Sequence, residues 1–279
     1  MSSAPEVLYH YTSAAGLLGI LSSSSLWISN ALFMNDAEEL IHASQAVSTA
    51  MNARADELRA RLARNEPEFP NRPLLAVFED MIGQLEDLHD RGPSWGDVYL
   101  ACFCEDGDLL SQWRGYAGSG GYALGLDPLK LQLSDPTAYM GSSLARVRYG
   151  LPEAIDDVTS LVESIDPGSG NHPGSLAAHE FLTVVRLLAQ VKNPGFREER
   201  EWRLVNISDD SRDLHFREGY SALIPYKTHP FPSDAILSIT IGPGGNRPLR
   251  ERSVRQMVEK FYPDRRWDIK VTASQVPLR

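Results

Sequence analysis

Gly195-Phe196-Arg197-Glu198-Glu199-Arg200-Glu201-Trp202-Arg203-Leu204-Val205 is the densest run of ionisable residues in the chain, and it ends in Trp, Leu and Val as a β-strand does. Side chains of a strand alternate between faces, so a strand here puts Glu199, Glu201 and Arg203 on one side and Arg200, Trp202 and Leu204 on the other. Two carboxylates pointing the same way repel. A chain tolerates that when an arginine bridges them or when a ligand needs them. The plainer alternative is an edge strand whose charged face is simply solvated.

Upstream, Leu8-Tyr9-His10-Tyr11-Thr12 reads as a short aromatic strand, followed by a helix from Ser13 to Leu21 and a second strand at Leu26-Trp27-Ile28-Ser29. Asn35-Asp36-Ala37-Glu38 opens a long helix, with Asn35 as its cap and Glu38 where a capping-box Glu sits. Leu40, Ala43, Val47, Met51, Leu58 and Leu62 carry that helix to about Arg64. A second helix spans Leu74 to about His89. The chain then turns strand-rich: Val98 to Cys104, Tyr122 to Leu126 and Ala145 to Tyr149, with Ser111 to Tyr116 following a turn. Helices over Pro152–Ile165 and Leu176–Lys192 flank the loop Asp166–Gly170 and precede the charged strand, which runs from Arg200 to Ile207. Strands at Ser221–Tyr226, Ile236–Ile241 and Trp267–Val271 follow, with a helix from Leu249 to Phe261 between the last two. Strands with helices set between them, without a repeat or a break in composition, imply an α+β fold with a split or mixed sheet. The whole of 1–279 is expected to be one domain, with 36–91 as a helical insertion.

The 279 residues can bury a substantial core. A net charge of −10 argues against a general grip on phosphate backbones, which takes clustered Lys and Arg. Met1-Ser2-Ser3-Ala4-Pro5-Glu6 lacks the basic and apolar regions of a signal peptide, and no apolar run approaches membrane-spanning length. Cys102 and Cys104 fit neither a disulfide framework nor a Cys-x-x-Cys pair and read as small core residues. A reducing cytoplasm is the simplest setting, and no membrane partner is expected.

Four places could carry chemistry. His10 and Thr12 share a strand face, either as a histidine satisfied by a backbone partner or as a pair that positions a sugar hydroxyl. Asn35-Asp36-x-Glu38 is first of all a helix cap. Ser111-Gln112-Trp113-Arg114-Gly115-Tyr116 combines an aromatic surface with a cation that could take a phosphate in two bonds, before the short Gly118–Gly121 loop. Ile239 to Asn246 runs from a strand through Gly242-Pro243-Gly244-Gly245 into a helix, a connection able to cradle a phosphate but also a common structural one. Metal-ligating histidine or cysteine spacing and a Gly-x-Ser-x-Gly elbow are absent from the sequence, so metal catalysis and serine hydrolysis find no support in it.

Taken together, Leu8-Tyr9-His10-Tyr11-Thr12, Asn35-Asp36-x-Glu38, Ser111-x-Trp113-Arg114-Gly115-Tyr116 with Gly121–Gly125, and Glu199-x-Glu201-Trp202-Arg203 resemble a family of bacterial domains of unknown function, number 2971. A more distant resemblance adds an activity. A strand with His-x-Thr followed by a short leucine-rich helix and a turn is similar to the opening of ADP-ribosyltransferase folds, which hold NAD on a split sheet. That resemblance implies His10 on the first strand, Tyr122 (or Tyr116) on a middle one and Glu201 on a late one. Glu199-Arg200-Glu201 is similar to the paired-Glu motif of some of these enzymes. It implies roles in turn. Glu201 would stabilise the charge that builds on ribose as nicotinamide leaves. His10 and Thr12 would hold the adenosine-side ribose, and Tyr122 or Tyr116 would stack on nicotinamide. Arg114, beside Trp113, would take the pyrophosphate, and Glu199 would orient the acceptor. The expectation is an enzyme that consumes NAD, either by transferring ADP-ribose to a protein or nucleic acid or by hydrolysing it, in the manner of a toxin or defence effector. Two alternatives stay open: a module that binds a nucleotide or nucleic-acid end without chemistry, and a nuclease-like hydrolase holding a divalent ion with Asp36, Glu38, Glu199 and Glu201.

Overall fold

The computed structural model describes residues 4–34, 37–64, 72–91, 97–116, 120–131, 133–134, 140–164, 173–219 and 222–277. In chain order the elements are β1 (Leu8–Thr12), α1 (Ala14–Ser23), β2 (Ser25–Asn30), α2 (Ala37–Ala63), α3 (Arg72–Arg91), β3 (Asp97–Cys104), α4 (Leu110–Tyr116), β4 (Tyr122–Leu126), β5 (Gly141–Arg146) and β6 (Arg148–Tyr149). They continue with α5 (Leu151–Ser164), α6 (Pro173–Leu188), β7 (Val191–Lys192), β8 (Glu201–Ser208), β9 (His215–Glu218), β10 (Leu223–Pro230), β11 (Ile236–Ile241), α7 (Arg247–Phe261) and β12 (Lys270–Ala273).

The fold is α+β, built on an open mixed sheet of ten strands. Its axis is β3. One edge of β3 pairs along its whole length with β8, from Asp97↔Ser208 to Cys104↔Glu201, and β8 carries β5 on its far side. The other edge of β3 is shared. β1 pairs with it at Tyr9↔Cys104, and β2 pairs further back at Ser29↔Leu100 and Asn30↔Tyr99. Two wings leave from that edge, β1-β4-β11-β12 and β2-β10-β9, joined through α1. Among the described residues, only β11 and β12 pair in parallel within this sheet. Cys102 falls between these two pairing zones, in register with Arg203 of β8 but with no residue of β1 or β2, and His10 Nδ1 sits 3.0 Å from its carbonyl.

Strand alternation gives the sheet two apolar faces. Val98, Leu100, Val205 and Ile207 pack under α2, α3, α5 and α6. On α2 the buried residues are Leu40, Ala43, Val47, Met51, Ala55 and Leu58, a stripe at helical spacing that faces Phe78, Met81 and Leu85 of α3. The expected helical insertion is therefore continuous with the core over the sheet. The other face carries Leu8, Leu26, Ile28, Tyr99, Phe103, Trp202, Leu204 and Ile239 against Leu17, Ile20 and Leu21 of α1 and Val254 and Val258 of α7. The sheet rolls over this second face, because Ser142 of β5 meets His229 of β10, which lie at opposite ends of the path β5-β8-β3-β2-β10.

Several elements differ from the sequence expectation. Ser111–Tyr116 lies within the helix α4. Ala145–Tyr149 is divided between β5 and β6. The end of the expected helix Leu176–Lys192 turns instead into β7, which pairs with β6. Asn35, Asp36 and the loop Asp166–Gly170 lie outside the described residues. No described helix is long and apolar enough to cross a membrane.

Candidate functional site

The opening stretch forms a strand only from Glu201 onward. Pro194–Glu199 is a 3-10 helix whose first turn is capped by Asn193, and Arg200 adopts a left-handed conformation with φ 42° before the strand starts. Glu199 and Glu201 are nonetheless brought together, by a residue outside the run. Lys192 Nζ lies 2.8 Å from Glu199 Oε2 and 2.7 Å from Glu201 Oε2. Arg203 Nε donates to Glu201 Oε1 at 2.7 Å, and its Nη1 donates to the carbonyl of Ala189 at 2.9 Å. Tyr149 Oη accepts from the Glu201 backbone N–H at 2.7 Å. Glu39, in the first turn of α2, accepts from Asn193 N and lies 4.0 Å from Arg203. Lys192, Glu201 and Arg203 are each at most 3% exposed, and Glu199 is 8% exposed.

Burial pushes the Glu201 carboxyl upward, but Arg203 and then Lys192 outweigh it, and the group is held below the ordinary carboxylate value. The plainer alternative, an edge strand with a solvated charged face, is ruled out here. β8 is an interior strand between β3 and β5, and its charges are buried and paired. A cluster of this kind is costly to break and is also a place where chemistry is found.

A second site lies at the far end of the β1-β4-β11-β12 wing. β11 ends at Ile241, the chain turns through Gly242–Asn246, and α7 follows; β12 returns parallel to β11. A cleft of about 450 Å³ opens there, lined by Gly242, Gly244, Gly245, Arg247, Ser274 and Val276 among others. Asn246 precedes α7 with φ 53° and its side chain makes no cap; its carbonyl accepts from Leu249 N and Arg250 N at 3.0 Å, and Pro248 has no N–H, so of the first turn only the Arg247 N–H is left without a cap. Gly242 is required by space: a Cβ there would stand 2.8 Å from the Trp113 ring and 2.9 Å from the Gly121 carbonyl. Arg250 joins the walls, donating to the carbonyls of Gly242 (2.8 Å) and Gly121 (2.9 Å) with its guanidinium over the Tyr122 ring. Asp108 holds the opposite rim, accepting from Trp113 Nε1 (2.8 Å), from the Ser274 hydroxyl and from Gln275 N (2.8 Å).

The pairing register sorts the expected site residues. Paired residues of neighbouring strands share a face. Tyr9, Cys104 and Glu201 are paired in series, so Glu201 lies on the face of Tyr9. His10 is next to Tyr9 and takes the other face, against Phe103. Thr12 pairs with Tyr122 and His10 with Leu124, so His10, Thr12 and Tyr122 stand together, on the opposite face from Glu201. Burial holds the His10 imidazole below its ordinary value, partly offset by its bond to Cys102 O, so the neutral ring donates from Nδ1.

Trp113 is fully buried and meets Tyr11 edge-on at 4.7 Å, which makes it a wall of the Gly242 turn. Tyr122 is 8% exposed and covered by Arg250. Arg114 and Tyr116 are exposed on α4. Cys104 is a buried core residue as expected, with its thiol donating to Glu199 O and raised by burial to about 11; Cys102 is half-buried.

Lys192, Tyr149, Asp108, Arg247 and Arg250 were not legible as site residues. Lys192 reads as the end of a helix, and Asp108 sits in an ordinary turn. Asp36 of the metal-binding alternative lies outside the described residues. Glu199 and Glu201 are already neutralised by Lys192 and Arg203, and among the described residues no group of three or more His, Cys, Asp or Glu side chains is arranged to hold a metal.

Residues 112–204 match the model of the family described as Protein of unknown function (DUF2971). The DUF2971 segment runs from α4 into β8 and contains Tyr149, Lys192, Glu199, Glu201 and Arg203, so all of the buried cluster except Glu39 lies inside it. No curated protein and no solved structure matches the chain significantly.

Proposed function

We propose that this protein binds a nucleotide, with NAD the first candidate, and seats its phosphates in the cleft between Gly242–Arg247 and Ala273–Pro277. The cleft itself carries the proposal. It lies beyond the carboxyl ends of two parallel strands joined by a helix, where ligands of open α/β units sit. Its roughly 450 Å³ is within the usual range for small-molecule sites. A glycine turn lets a ligand approach the backbone, the dipole of the fifteen-residue α7 points its positive end at the cleft, and Arg247 supplies a cation. Trp113 and Tyr122, expected at a nucleotide site, support this place from behind. The test is calorimetric titration of NAD into the wild type and Arg247→Ala. Wild-type binding weakened about tenfold in the variant, the scale of one charge-assisted hydrogen bond, supports the proposal. Wild type that takes up no NAD and no other nucleotide overturns it.

A second reading, consumption of NAD through Glu201 with transfer to a protein or nucleic-acid acceptor, is favoured by one observation. Glu201 is held ionised inside a buried cluster, as stabilising a ribosyl cation requires. In the described conformation Lys192 and Arg203 take up that charge, so a ribose reaches Glu201 only when one of them swings away. The opposite-face placement of His10 and Thr12 means that Glu201 would work with groups of its own face. Nicotinamide release by wild type, lost in Glu201→Gln of unchanged circular dichroism, supports this reading. Release that survives the substitution removes it.

A further inference from the structure

The β2-β10-β9 wing carries three rings in series on one face. Trp27 and Tyr226 have centroids 5.0 Å apart at 33°, and Tyr226 and His215 are 5.4 Å apart at 31°. Tyr226 pairs directly with His215, and Arg217, two residues on, lies on the same face of β9. β9 is the last strand of this wing and His215 is exposed, so the series ends on an open ring at the sheet edge.

Arg217 is the second, independent observation. It is half-buried, and its Nη2 donates to the Ser29 hydroxyl at 3.1 Å. Among the described residues no carboxylate pairs with it. Glu218 belongs to the other face of β9, and the Asp210 carboxylate is paired with Arg212. Burial pulls the Arg217 guanidinium below its ordinary value, with only a partial offset from Tyr226. A half-buried cation with no carboxylate beside it is favoured by an anion supplied from outside. An anion beside the open end of a ring stack has the chemistry of a nucleotide unit: a flat base joined to a phosphate.

We propose that this face binds single-stranded nucleic acid, with one base continuing the stack beyond His215 and its phosphate on Arg217. A duplex keeps its bases inside and offers no free ring for the stack. The net charge of −10 argues against a general grip on phosphate backbones, which leaves specific contacts such as these to provide affinity. The proposal is independent of the cleft at Gly242–Arg247 and stands or falls apart from it.

Fluorescence anisotropy with labelled single-stranded DNA and RNA of mixed sequence tests it, with the same sequences as duplexes and heparin as competitors. The expected result is binding to a single strand that duplex and heparin displace poorly. His215→Ala, at an exposed position, should weaken it about tenfold through the lost stack. Arg217→Met should weaken it as well and lower the salt slope by about one. Arg217→Lys, which keeps the charge, should retain that slope and control for folding. Absence of binding to either strand at low salt overturns the proposal. So does binding that both variants leave unchanged, or that heparin displaces as readily as an unlabelled single strand.

Discussion

Removing the Lys192 ammonium would leave Glu199 and Glu201 as two buried carboxylates with Arg203 alone to balance them. Breaking a buried ion pair from one side costs about 3–5 kcal/mol, because the stranded charge keeps its desolvation cost. Lys192→Met should therefore lower the urea midpoint by an amount worth about 3–5 kcal/mol, and Glu199→Gln in the same chain should restore part of it. A midpoint unchanged by Lys192→Met would mean that the cluster adds nothing to the fold.

The same residues set the response to acid. Glu201 has its folded value depressed, so its contribution is full above the unfolded value near 4.3 and is lost as pH falls through the folded one. His10 and His229 are bases whose folded values burial lowers. Below about 6.5 the unfolded chain takes up protons that the folded chain refuses, so stability already declines there. Denaturation midpoints measured against pH should thus begin to fall near 6.5, and His229→Phe should flatten that first part. Stability constant from pH 7 to 5 would contradict it.

At the scale of elements, alternation and helical spacing made β1, β2, β3, β4, β11 and the stripe of α2 legible, because each buries a regular apolar set. β9 was not, since His215–Glu218 is short, polar and mostly exposed. β7 was hidden inside a helical pattern, and its Lys192 reads as a terminal cation until β6 pairs with it. The charged stretch misled at its start. Glu199 reaches its neighbour through a 3-10 turn and a left-handed Arg200, which strand alternation cannot foresee. Gly242 is the converse case, a glycine in a weak motif whose need becomes visible only once Trp113 lies behind it. Gly242→Ala forces a methyl into that ring and into the Gly121 carbonyl, and overpacking of this kind costs about 1–3 kcal/mol. Thermal denaturation measures it, and an unshifted transition would mean that the turn has room to spare.

For the whole molecule, the shared edge of β3 decides the layout. The residue types able to carry chemistry, such as His10, Tyr122 and Glu201, were readable in the sequence. Their distribution over two faces was not, because it depends on a register that pairs Tyr9 with Cys104 and Cys104 with Glu201. β3 is paired on both edges and covered on both faces, whereas β9 closes a wing with a free edge. Native-state hydrogen exchange should therefore be slowest in β3 and β8 and fast in β9. Exchange from β3 as fast as from β9 would show that the two wings do not share one cooperative core.

The most direct test of the nucleotide cleft is the titration of NAD into wild type and Arg247→Ala, with nicotinamide followed in the same cell. Saturable binding by the wild type, about tenfold weaker in Arg247→Ala, is the predicted result. Binding of equal strength in both proteins, or heat from neither NAD nor any other nucleotide, would contradict the placement of the phosphate site at the carboxyl ends of β11 and β12.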